Sequence, residues 1–231
     1  MSISDGLRRV QDRIRRSAAA VGRSAAGVTL VAVTKTQPVE RVVEAFDLGV
    51  RDFGENTVQD LVSKAEALSA SGREARWHFI GRLQKNKINR LLPHVHLVHT
   101  VESVDLARAL SARAPDRGLD VLVQVNIGRE PQKGGVDPER VVEVATEVAG
   151  LPRLRLRGFM AIPPVELPPR PFFDALARLA TDLTATTASA TFLSMGMSED
   201  LEAAIECGAT HVRVGTAIFG ERQSLRGRGA A

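Results

Sequence analysis

The feature that most limits what this chain can fold into is a repeated alternation. Short apolar runs rich in Val, Leu and Ile are each followed by a longer segment whose apolar residues recur at helical spacing. The runs fall at 28–35, 51–54, 77–80, 97–100, 121–127, 156–161, 191–194 and 212–216. Helical spacing occupies 39–48, 58–67, 87–92, 104–112, 138–148, 172–183 and 199–206. Strands that alternate with helices pair in parallel, because each crossover returns the chain to the same end of the sheet.

Eight strands with seven intervening helices close naturally into a single (β/α)8 TIM-type barrel. The same alternation also permits an open doubly wound sheet. No shift in composition marks a boundary, so residues 1–231 are expected to form one domain. An extra amphipathic helix is expected within 1–24, with Leu7, Val10, Ile14 and Ala18 on one side and arginines on the other. It could cover the gap left after the last strand, where no full helix is expected and the Gly- and Arg-rich 223–231 reads as a flexible tail. The Pro-rich 162–171 reads as a long loop.

Composition narrows the function classes. Hydrophobic residues at 44% and charged residues at 25% fit a soluble globular chain. No apolar run is long enough to span a bilayer, and the basic N-terminus has no apolar stretch behind it to act as a secretory signal. Cys207 is the single cysteine, which fits a reducing, cytoplasmic setting. The net charge of +4 comes without a dense basic stripe interleaved with aromatics, so no nucleic-acid role is expected.

In a barrel of this kind reactive groups sit at the C-terminal ends of the strands. Lys35 ends the first run, on the same face as Val31 and Val33, which would aim it into the barrel mouth. Partly desolvated there, a lysine offers more neutral amine for Schiff-base formation. A lysine that merely snorkels into water fits the position equally well. The segment Ser194 to Asp200 (SMGMSED) follows a strand and opens a helix, with Ser198 placed as an N-cap and Glu199 and Asp200 in the first turn. Such a start suits a phosphate, although a well-capped helix needs no ligand. In HVRVGTAIFG, His211, Arg213 and Gly215 share one face. Arg213 within a strand is costly unless it meets a ligand or carboxylate, and Gly215 and Thr216 suit a phosphate.

Seven ordered motifs carry a resemblance: VAVTKTQP, FGENTVQD, WHFIGRLQKNK, QVNI, RGFMAIPP, SMGMSEDLEAAI and VRVGTAIFGER. From about Leu30 to Arg222 the chain resembles the pyridoxal 5′-phosphate (PLP) homeostasis family, YggS/PROSC, and more distantly the barrel domain of alanine racemase. The resemblance implies that Lys35 holds PLP as a Schiff base and that Arg213 faces the pyridine nitrogen. It implies a phosphate cup of Ser198, Gly215 and Thr216, with Ser194 and the backbone near Met197 beside it. Asn56 and His78, at the ends of the second and third strands, could line the pocket, or His78 could be a structural histidine satisfied by a neighbour.

The implied role is a PLP carrier or regulator, a monomer with PLP-dependent apoenzymes as candidate partners. An acidic partner would keep the pyridine nitrogen protonated and strengthen the ring as an electron sink, whereas a guanidinium cannot accept that proton. The racemase's second base is a tyrosine from another domain; this sequence has no tyrosine, and its length is spent on the barrel. A slow one-base racemase is the alternative, and a Schiff-base aldolase without PLP is a third class. The sequence departs from the family at Thr57, where an aromatic is usual, and at Gly134-Gly135, which should loosen the loop that carries Lys133. Lys133 is a candidate for transient PLP contact or an ordinary loop lysine. No metal site is expected from His94, His96 and His99, Cys207 reads as a packing residue, and the basic stretch 84–90 reads as a solvated face.

Overall fold

The computed structural model describes residues 2–220, so the tail expected at 223–231 lies outside the described residues. The strands are β1 (Thr29–Val33), β2 (Asp52–Glu55), β3 (Arg76–Phe79), β4 (Val95–Val101), β5 (Leu119–Val125), β6 (Leu154–Ala161), β7 (Phe192–Ser194) and β8 (His211–Val214). Each pairs in parallel with the next, and β8 returns to β1 with Thr29 opposite His211 and Ala32 opposite Val214. The sheet is a closed barrel, which settles the choice against the open sheet.

Between the strands lie α2 (Val39–Asp47), α3 (Val58–Ala70), α4 (Ile88–Leu91), α5 (Val104–Ser111), α6 (Val141–Ala149), α7 (Arg170–Thr184) and α8 (Leu201–Glu206). The last strand ends sooner than expected. Gly215 breaks it and a one-turn helix, α9 (Thr216–Phe219), follows.

Ahead of the barrel runs α1 (Ile3–Ala20), started by the Ser2 hydroxyl accepting from the Asp5 N–H at 3.1 Å. It buries Ile3, Leu7, Val10, Ile14 and Ala18 and lies against α8 and α9. A side chain at Gly6 would collide with the Ile218 carbonyl, so the helix sits on α9 at backbone contact. The N-terminal helix thus covers the short helix after β8, as its amphipathic spacing suggested. Arg13 clamps it to Glu202, and Arg23 donates to the Ile205 and Ala209 carbonyls at 2.8 Å, taking acceptors at the C-terminus of α8.

Successive strand residues face opposite ways. One set, including Ala32, Phe53, Phe79, Val98, Val123 and Phe159, forms the large core between barrel and helices. The alternate set fills the barrel. Part of that filling is a small separate apolar cluster of Leu97, Leu122 and Met160. The rest is polar.

Candidate functional site

At the C-terminal ends of the strands a cavity of about 680 Å3 opens, inside the ~300–1,000 Å3 range of small-molecule sites. Lys35, Asn56 and Arg213 line it, with Met197, Ser198, Gly215 and Thr216 on one side. Seven of the nine residues expected at the site meet here. The other two, His78 and Ser194, lie below it.

Lys35 stands on a turn that its neighbours hold in place. The β1 strand stops at Val33, and the Gln37 N–H closes the turn on the Thr34 carbonyl at 2.9 Å. Lys64 of α3 donates to that same carbonyl at 2.7 Å and to Glu55 Oε1 at 2.6 Å, while the Thr34 hydroxyl donates to Glu55 Oε1 at 2.6 Å. Thr36 takes φ 64°, costly for a β-branched residue, and this anchoring holds it there. Lys35 itself is exposed in the mouth, not half-buried as its strand-end position suggested, because the turn lifts it clear of the barrel wall.

Arg213 is buried and meets no carboxylate within ion-pair distance among the described residues. Its Nη1 donates to Ser194 Oγ at 2.7 Å and its Nη2 to the Ala161 carbonyl at 3.0 Å. Burial pulls this guanidinium down to about 10, since desolvation disfavours the cation. A buried cation without a counter-charge calls for an anionic or strongly accepting partner.

The third wall is an arrangement of hydroxyls. Ser198 was expected to cap the helix after β7, but α8 starts at Leu201 with Asp200 as its N-cap residue, so Glu199 and Asp200 lie ahead of the first turn. Asp200 Oδ1 instead accepts from the Met197 N–H at 2.6 Å, so that amide already has a partner. Ser198 faces α9: its oxygen accepts from the Thr216 hydroxyl at 2.9 Å and the Ala217 N–H at 3.3 Å. With both lone pairs engaged, its own hydrogen is left to donate elsewhere. The Thr216 N–H, at a helix start, has no intrahelical acceptor. At Gly215 a Cβ would stand 3.2 Å from the Val33 carbonyl, so glycine lets α9 approach β1. Gly196, with φ 90°, takes a left-handed backbone that glycine adopts without steric cost.

His78 is interior, bonded to His99 at 2.9 Å and Asp52 at 3.0 Å, which is the satisfied-histidine alternative. Ser194 is equally buried beneath Arg213. Asn56 sits exposed on the rim. Thr57, where an aromatic is usual, caps α3 by accepting from the Asp60 N–H at 3.1 Å. Lys133 binds Glu130 at 2.5 Å and the Pro163 carbonyl at 3.1 Å, beside the mouth but not lining it. The glycines after it serve fit: Gly135, at φ 124°, brings Val136 against Gln124 and Asn126. No group of three or more metal-capable side chains occurs among the described residues. Burial raises the Cys207 thiol to about 12, in keeping with packing and not reactivity.

Sequence reasoning missed Asp52, Glu55 and Lys64, and weighed His99 only as a metal ligand. Lys64 left a signal, a lone cation on the buried stripe of α3 between Leu61 and Leu68.

Fold and site together define a barrel of the alanine racemase N-terminal domain type, and that family's profile matches residues 7–223. Within it, the chain belongs to the pyridoxal phosphate homeostasis proteins. It is 42% identical over 228 residues to the pyridoxal phosphate homeostasis protein of Escherichia coli K12, covering 95% of this chain and 97% of that one. It is also similar to PipY of Synechococcus elongatus, solved with PLP bound, at TM-score 0.79 and 32% identity over 90% of this chain and all (100%) of PipY. Alanine racemase of Corynebacterium glutamicum, at 16% identity and TM-score 0.68, covers 95% of this chain and 62% of the enzyme, and shares the fold alone.

Proposed function

We propose that this protein binds PLP as a Schiff base on Lys35 and serves PLP homeostasis as a carrier or regulator. The observation that carries the reading is the convergence of three different groups on one cavity: an exposed lysine, a buried arginine without a counter-charge, and a hydroxyl pair with a hydrogen to spare. Each answers one part of PLP, namely the aldehyde, the pyridine nitrogen and the phosphate. That the relative PipY was solved with PLP bound supports PLP as the ligand.

Bound PLP supplies an aldehyde that condenses with amines and a ring that accepts electrons. Lys35 presents the amine. Arg213 donates toward the ring nitrogen and cannot take a proton from it, which keeps the ring a weak electron sink. Ser198, Gly215 and Thr216 hold the phosphate, with Met197 shaping that wall and Asn56 the rim. His78 and Ser194 act from below, through Arg213. With no tyrosine in the sequence, the tyrosine base of a two-base racemase has no counterpart, and the role is carriage, not turnover. The homeostasis name of its relatives supports that choice. It acts as a cytoplasmic monomer that keeps free aldehyde low and passes PLP to apoenzymes. In the described residues no helix is long and apolar enough to cross a membrane.

The test is a PLP titration followed by visible absorbance, with amino acids then added in deuterated water. A saturable band in the wild type, absent in Lys35→Ala, and no appreciable exchange at Cα is the expected result. Rapid Lys35-dependent exchange would overturn the carrier reading in favour of a one-base racemase. In the same titration Lys133→Ala is expected to load and release PLP at the wild-type rate, given the partners Lys133 already has.

A further inference from the structure

Beneath the cavity a line of hydrogen bonds crosses the inside of the barrel. Arg213 on β8 donates to Ser194 Oγ on β7 at 2.7 Å, and Ser194 Oγ lies 2.8 Å from His99 Nδ1 on β4. His99 Nε2 is 2.9 Å from His78 Nδ1 on β3, and His78 Nε2 is 3.0 Å from Asp52 Oδ1 on β2. Arg76 closes the far end with a bidentate contact to Asp52, at 2.7 and 2.6 Å.

The two ends dictate the direction of every bond between them. A guanidinium only donates and a carboxylate only accepts. Ser194, accepting from Arg213, gives its own hydrogen to His99 Nδ1. His99 then donates from Nε2 to His78 Nδ1, and His78 donates from Nε2 to Asp52. Reversing the inner links would protonate both His78 nitrogens, adding a second buried cation beside Arg213, and would leave the Ser194 hydrogen facing only donors. Burial, which disfavours the cation, holds the His99 imidazole well below its usual range, which fits a neutral ring. Burial works against the Asp52 carboxylate, yet the His78 and Arg76 hydrogen bonds hold its pKa far below normal.

We propose that Asp52, His78, His99 and Ser194 form a one-directional hydrogen-bonded chain that fixes the Arg213 guanidinium and serves as its remote counter-charge. They are positioning residues for whatever Arg213 contacts in the cavity, and that functional half rests on the PLP reading. The chain does not conduct protons, because its upper end is a guanidinium that gives none up near neutrality. It orients and polarises, each bond strengthening the next.

Two measurements decide it. Long-range proton–nitrogen NMR on the protein without added cofactor, at about pH 8, should find the single ring proton of His78 and of His99 on Nε2. The His99 ring should stay neutral down to about pH 6, across the range where a free imidazole titrates. A proton on Nδ1 of either ring would overturn the chain's direction. Ser194→Ala and His99→Phe should then weaken PLP binding on the order of tenfold, as when an outer partner of an orienting ligand is lost. They should also shift the absorbance maximum of bound PLP. Variants that melt lower yet keep wild-type affinity and absorbance would show a structural role only. If the wild type binds no PLP, the proposed function falls, while the NMR result still decides the chain.

Discussion

On its outer face the barrel wall meets the helices through Phe53, Phe79 and Phe159, all fully buried and apolar. On its inner face the same eight strands carry Asp52, His78, His99, Ser194, His211 and Arg213, also buried. Neighbouring residues on one strand, such as Asp52 and Phe53 or His78 and Phe79, therefore do opposite work. The outer set supplies the apolar burial that stabilises the fold. The inner set sacrifices some of it to hold a cation under the mouth. Stability and binding are thus divided across the thickness of one sheet.

The sharpest way to break this division is to exchange its effects. Phe159→Ala on the outer face should cost about 3–5 kcal/mol of stability. The folded fraction should still bind PLP at wild-type affinity, as read by chemical denaturation and a cofactor titration. Arg213→Met on the inner face should do the reverse. Exchanging a buried cation that has no carboxylate in direct contact for an apolar side chain is about neutral for stability or gains ~1–4 kcal/mol, while PLP affinity collapses. A variant pair that loses both properties together would show that the two faces are not separable.

Acid should expose the inner face next. Burial, which disfavours the cation, drives the His211 imidazole down to about 3, and His99 also lies well below its usual range. Below about pH 6.5 the unfolded chain takes up protons that these buried rings refuse, so unfolding becomes easier as pH falls. The loss runs from about pH 6.5 to about pH 3 for His211, at roughly 1.4 kcal/mol per pH unit for each proton taken up. Melting curves of His211→Phe should flatten over that window. A pH dependence identical to wild type would contradict the assignment. The smallest effect is expected outside the barrel: Thr57→Ala removes the α3 cap and about 1 kcal/mol, with PLP affinity unchanged, measurable by urea denaturation.

The same division explains what could be read from the sequence. Helix stripes and apolar runs report the outer core, so all eight strands and the helices between them were legible within a few residues of their ends. Strands in a parallel barrel are buried on both faces and read as near-continuous apolar runs. Against that background each inner polar residue stands almost alone in its strand, and nothing local says which other strand it meets. His99 and Ser194 are bonded across 95 positions of sequence. Lys35, Arg213, Gly215 and Thr216 were legible because they end or interrupt strands at the face where barrels place their chemistry. Ser198 was found for the wrong local reason. Its hydroxyl is drawn to Thr216 and Ala217, a tertiary contact, and the helix it was expected to cap begins at Leu201, two residues later than expected.

The most direct test of the central claim is reduction of the PLP-loaded protein with borohydride, followed by peptide mass mapping. The visible band should disappear and a pyridoxyl mass should appear on the peptide containing Lys35 and on no other. A label on Lys133 or on scattered surface lysines, or none after excess PLP is removed, would contradict it.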